Sequence, residues 1–205
     1  MKTTLKPLIC TLLFICFCFV ANAQSRTDSL RIGVAVEGIT TTGTFGVPVN
    51  TNTDGTSSTA YKYGAGVSLR VDIPTIEHFN VTASVGYNTY FATSAANTSQ
   101  ESILNVTPVN METIPVKLGI KWFLGNTFYF QGEAGETILA NKSALYGMFS
   151  NSFTFSPQVG LLIPLKKKHT YIDGGFRYES FQTFYNDGGG HNKFYALHIA
   201  YMFKL

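Results

Sequence analysis

The stretch KFYALHIAYMFKL, Lys193 to Leu205, decides the fold. From Tyr195 every second residue is large and apolar: Tyr195, Leu197, Ile199, Tyr201, Phe203, Leu205. Between them stand Ala196, His198, Ala200, Met202 and Lys204. A period of two is that of a β-strand with one greasy face and one mixed face. So apolar a face needs a cover, and the rest of the chain must show what it is.

The same alternation recurs seven times, over residues 30–37, 61–72, 79–91, 114–122, 128–135, 153–163 and 172–179. With the first stretch that makes eight strands. The connections alternate as well. Residues 40–60 are long and rich in Thr, Gly and Asn, and 73–78 are short. Residues 92–111 are long, Leu124-Gly125-Asn126 is tight, 138–151 are long, 166–169 short, and 181–192 long. This is the pattern of an all-β, eight-stranded, antiparallel up-and-down transmembrane β-barrel with its termini on the short-turn side.

A soluble lipocalin-like barrel also has eight alternating strands. Its inner face is apolar and its outer face charged. Here the polar face holds Gly, Ser, Ala and Thr with scattered charges of both signs, and the apolar face carries almost none. An eight-stranded barrel has an interior only wide enough for side chains, so small residues and ion pairs suit the inside. A charge on the lipid face would cost ~2–4 kcal/mol at the bilayer midplane.

The inward charges are expected to be Arg31, Glu37, Lys62, Arg70, Asp72, Lys117, Lys121, Glu133, Asp173, Arg177, Glu179 and Lys204. Their mixed signs predict a packed salt-bridge plug rather than a selectivity ring, because each buried charge needs a partner. Arg31, Glu37, Arg70, Lys117, Glu133, Asp173, Arg177 and Glu179 form its expected structural core. The aromatics predict two interfacial girdles. Phe79, Trp122, Phe128, Phe130, Tyr201 and Phe203 fall near the short turns; Tyr61, Tyr63, Phe91, Phe153, Phe155 and Tyr195 fall near the long loops. The stretch 193–205 would pair with the first strand, close the barrel and turn its apolar face to lipid.

Lys2 and Lys6 precede an apolar run, Leu8 to Val20, and then Ala21-Asn22-Ala23. This reads as a signal peptide over residues 1–23, cleaved between Ala23 and Gln24, with the barrel domain over 24–205. The run is short of the ~20 residues of a spanning helix. All three cysteines, Cys10, Cys16 and Cys18, lie within it. A mature chain would then hold no disulfide and no thiolate. Lys2 and Lys6 are two of 15 basic residues, so 13 would remain against 12 acidic ones, a net charge of +1. Nothing in that balance points to nucleic acid.

Glu112-Thr113-Ile114-Pro115-Val116-Lys117-Leu118-Gly119-Ile120-Lys121-Trp122-Phe123, a Gly125-Asn126 turn and Tyr129-Phe130-Gln131-Gly132-Glu133-Ala134-Gly135 resemble the central hairpin of the porin-family, PorT-like outer-membrane barrel domain. Thr113, between Glu112 and Ile114-Pro115, departs from that pattern, as does Leu205 in a place more often held by Phe. The resemblance implies a small barrel in the outer membrane of a Gram-negative bacterium. Its partners would be outer-membrane lipids and the barrel-assembly machinery, the latter reading Tyr201, Phe203 and Leu205 as an assembly signal.

No catalytic residue, cofactor or metal ligand is expected. Barrel hydrolases need a His beside a Ser, but His198-Ile199 is followed by Ala200. His191 and Asp187 share a Gly-rich loop, His78 and His169 lie in short turns, and no H-x-x-x-H spacing occurs. Asp187-Gly188-Gly189-Gly190 lacks the strand-to-helix context of a phosphate loop. Two functions remain: a structural or surface-interaction barrel meeting an external ligand or protein through four long loops, or a narrow pore or accessory part of a secretion or uptake system.

Overall fold

The computed structural model describes residues 29–42, 45, 61–92, 109–142, 149–165, 169–184 and 191–205. The expected signal peptide with Ala23 and Gln24, residues 166–168 of the short 166–169 connection and the 187–190 glycine stretch lie outside them. The strands are β1 (Arg31–Thr42), β2 (Tyr61–Ile76), β3 (Phe79–Ala92), β4 (Met111–Leu124), β5 (Phe128–Leu139), β6 (Asn151–Pro164), β7 (Thr170–Gln182) and β8 (His191–Lys204). Each pairs antiparallel with the next, and β8 returns to β1 to close the barrel.

The β1–β8 seam runs without interruption from Arg31↔Lys204 to Thr42↔Lys193. Residues 195–205 thus close the barrel as their alternation implies. Tyr195, Leu197, Ile199, Tyr201, Phe203 and Leu205 point out and are exposed, while Phe194, Ala196, His198, Ala200 and Met202 point in and are buried. Closure leaves no unpaired edge, which a backbone in hydrocarbon requires.

The turn between β2 and β3 is tighter than the six residues expected. β2 runs on to Ile76, leaving only Glu77 and His78, the latter at φ 68°. Gly125, at φ 70°, makes the equivalent bend after β4; glycine takes that conformation without steric cost.

The outward face is mainly apolar in every strand, and Glu112 and Glu136 face outward toward the loop end. At the short-turn end Trp122 stacks on Phe79 and Phe130, with ring centroids 6.1 and 6.2 Å away. At the loop end Tyr63, Phe91, Phe153, Phe155 and Tyr195 are exposed. Tyr61 is not among them. The β2–β3 register slips between Tyr61 and Tyr63. The slip, a β-bulge, turns Tyr61 inward to 4% exposure and leaves Lys62 exposed. Tyr61 therefore belongs to the interior rather than the outer girdle, and Lys62 does not face the lumen.

Inside, three layers stack along the axis. An apolar layer at the loop end contains Ile39, Phe45, Tyr90, Phe181 and Phe194. Another at the short-turn end contains Phe123, Tyr129, Leu162 and Met202. Charged side chains lie between them.

Candidate functional site

Among the described residues, the charges of the central layer come from inward positions on β1, β2, β4, β5 and β7, with uncharged partners on β6 and β8. Nine charged residues are buried there: Glu37, Arg70, Asp72, Lys117, Lys121, Glu133, Asp173, Arg177 and Glu179, none more than 6% exposed. Each needs compensation, since an isolated charge in such surroundings is costly.

Glu37 is the hub of the first group. Arg177 grips it with two parallel bonds, Nη1 to Oε1 at 3.0 Å and Nη2 to Oε2 at 2.6 Å. Arg70 Nη2 donates to Oε1 at 3.2 Å, and Ser68 Oγ donates to the same oxygen at 3.1 Å. Two-pronged Arg–carboxylate pairs are among the strongest hydrogen-bonded contacts. Arg177 Nε lies 3.2 Å from Glu179 Oε2. The same oxygen accepts from Lys117 Nζ at 2.7 Å and Ser156 Oγ at 2.6 Å. Lys117 is also 3.5 Å from Glu133.

The second group lies nearer the short turns and centres on Lys121. Its Nζ donates to Asp72 at 2.7 Å and to Asp173 at 3.1 Å, and sits 4.4 Å from the centroid of the Tyr129 ring. Tyr129 donates its hydroxyl to Asp173 at 2.5 Å and accepts from the Gln158 amide at 2.8 Å. His198 Nε2 is 3.5 Å from the same aspartate. Glycines make room for these bulky groups. A Cβ at Gly160 would collide with the Tyr129 ring, and one at Gly175 with His198.

Seven of the eight residues expected in the charge core come together here. Arg31 does not. It is half-buried at the short-turn rim, its guanidinium 5.1 Å from the centroid of Tyr171. Lys204 is half-buried at the same rim. The roles of Tyr129, Ser156, Gln158 and His198 escape sequence reading, although each occupies an inward position of the alternation.

The apolar seals were also unforeseen. At the loop end Phe45 enters from beyond β1 and packs on Tyr90 and Phe181, with centroids 4.8 and 5.8 Å away. Parity held the signal. Phe194 shares its face with His198, and Phe123 shares its face with Lys121.

Sealed at both ends, the layer can brace the wall from within. The available space beside Glu37, Lys117 and Arg177 is only about 10 Å³, at the lower limit for one water. Among the described residues no group of three His, Cys, Asp or Glu could hold a metal. His198 is buried with Ala200 on its own face and no hydroxyl there. His191 is exposed at the start of β8.

An apolar band around a charged, packed interior is the construction of an outer-membrane β-barrel, whose outward face meets lipid. Solved barrels of this kind have a similar fold. AlkL, determined by solid-state NMR in lipid bilayers, shares 13% identity over 87% of this chain and 92% of its own, with a TM-score of 0.47. OprG from Pseudomonas aeruginosa shares 11% over 89% and 98%, at 0.49. Ail, the attachment invasion locus protein of Yersinia pestis, shares 14% over 85% and 97%, at 0.42. No family model and no curated protein matches the chain, so the PorT-like resemblance rests on the β4–β5 hairpin motif.

Proposed function

We propose that this chain is a non-conducting outer-membrane barrel that works through its surfaces. The observation behind this reading is the filled interior: nine buried, mutually paired charges between two apolar layers. A solute would have to break ion pairs such as Arg177–Glu37 and displace rings such as Phe194. What remains is a rigid scaffold carrying four long Thr-, Asn-, Ser- and Gly-rich connections, 43–60, 93–110, 140–150 and 183–190, on one rim. Loops on a rigid scaffold suit recognition of an external ligand or protein. The PorT-like hairpin also allows the alternative of a narrow pore or an accessory component of a secretion or uptake system. The proposal includes no catalysis.

Planar-bilayer recording of the purified, refolded chain tests it. Silence at moderate voltage is expected. Steady, uniform conductance steps would overturn the closed reading in favour of a narrow pore.

A further inference from the structure

The lipid-facing wall is not uniform. A groove of about 450 Å³ crosses β4, β5, β6 and β7 on the outside of the barrel. Its floor is Gly132, which faces outward and has open space where a Cβ would stand. Gly132 pairs with Ile120 on one side and Pro157 on the other. Beyond Pro157 the ladder is interrupted: β6–β7 pairing passes from Phe155↔Ser180 to Gln158↔Arg177. Proline has no N–H to continue it. Trp122 and Phe130 flank the groove toward the short turns, and Phe176 and Tyr178 flank it on β7.

We infer that this groove seats one acyl chain of a phospholipid from the periplasmic leaflet. The inference rests on the outward face meeting lipid and then goes further, assigning one place on that face a held chain. The groove is continuous with the apolar band and its lining side chains are largely hydrocarbon. Its volume falls within the ~300–1,000 Å³ of small-molecule sites. Its Trp122–Phe130 end lies at the short-turn girdle, the periplasmic side of such barrels, where a chain from that leaflet enters. A second copy of the barrel fits less well. Ten residues line the groove, against ~20–30 a side in a stable protein interface.

Trp122 is the only tryptophan in the chain and is a native reporter. The refolded full chain is placed in phosphatidylcholine vesicles with a rising fraction of lipid brominated along its chains. With one held chain beside Trp122, quenching follows the brominated fraction in direct proportion. Gly132→Leu fills the open space, so several exchanging chains then share the contact and the curve bows above proportionality. Heat-modifiable migration shows whether that variant is folded; if it is not, the wild-type curve alone decides. A bowed wild-type curve overturns the inference, since free chains then cover the groove. So does an unquenched Trp122 in vesicle-inserted protein, which would mean that protein covers it. Loss of quenching because the chain fails to insert would instead count against the membrane reading and shows separately in flotation of the vesicles.

Discussion

Arg177 and Glu37 meet in a two-pronged ion pair, with contacts of 3.0 and 2.6 Å, although 140 residues separate them. They stand on β7 and β1, the two strands that flank β8. Arg177→Ala leaves Glu37 with the Arg70 cation and the Ser68 hydroxyl and takes one cation from Glu179. Removing one partner of a buried pair costs about 3–5 kcal/mol. Urea unfolding in vesicles should show a loss of that order, with no ion conductance gained. Unchanged stability together with a new conductance would mean that Arg177 gates a path.

Lys121 serves two acids at once. In Lys121→Met, Asp72 and Asp173 lose their shared cation, so two carboxylates, on β2 and β7, are left under-compensated. The variant should be less stable than wild type at neutral pH. The sign of its pH dependence follows from the charge left over. Protonating one of the two acids relieves the excess, so the deficit relative to wild type should shrink as the pH falls. A deficit that grows on acidification would count against this arrangement.

Phe194 anchors the seal at the loop end, fully buried against Phe45, Tyr90 and Phe181. Phe194→Ala should cost roughly 3–5 kcal/mol, as large-to-small changes in a packed interior do. Bilayer recordings should stay silent, because the ion-pair layer still blocks the axis. Conductance in this variant would show that the rings alone close the barrel.

Phe203 is outward-facing at the short-turn rim, its ring 4.8 Å from that of Tyr201. Phe203→Asp should refold into detergent almost normally, since an acid at the interface costs only ~0–1 kcal/mol. Its level in the outer membrane of cells should collapse if Tyr201, Phe203 and Leu205 are read by the assembly machinery. Wild-type insertion in cells would confine these rings to closing the wall.

The fold was legible because a strand buried on one side writes its orientation into every second residue. Glu37 between Val36 and Gly38 could face only one way. The bulge at Tyr61–Tyr63 was not legible: two tyrosines around a lysine fit either face, and only pairing with Phe91 and Ala92 fixes which one turns in. The charge core was readable as a set and unreadable as pairs. Alternation gives the face of Arg177, but whether it meets Glu37 or Asp173 depends on how far the strands are staggered around the cylinder. The seals were hidden for another reason. Phe123 follows Trp122 and Phe194 precedes Tyr195, so rings on both faces blurred the contrast on which the reading depends.

The placing of Glu37 and Arg177 on either side of β8 has a consequence for biogenesis. In an unclosed sheet Glu37 lies at one edge and Arg177 on the strand next to the other, so they can bond only after the edges join. Joining in the wrong register would keep them apart. A slip of one residue would swing Glu37 to the lipid side, and a slip of two would carry it about 7 Å along the axis. The pair therefore works as a checkpoint on correct closure. Exposed charges are screened by salt far more than buried ones, so high ionic strength during assembly should slow this last step while barely weakening the finished barrel.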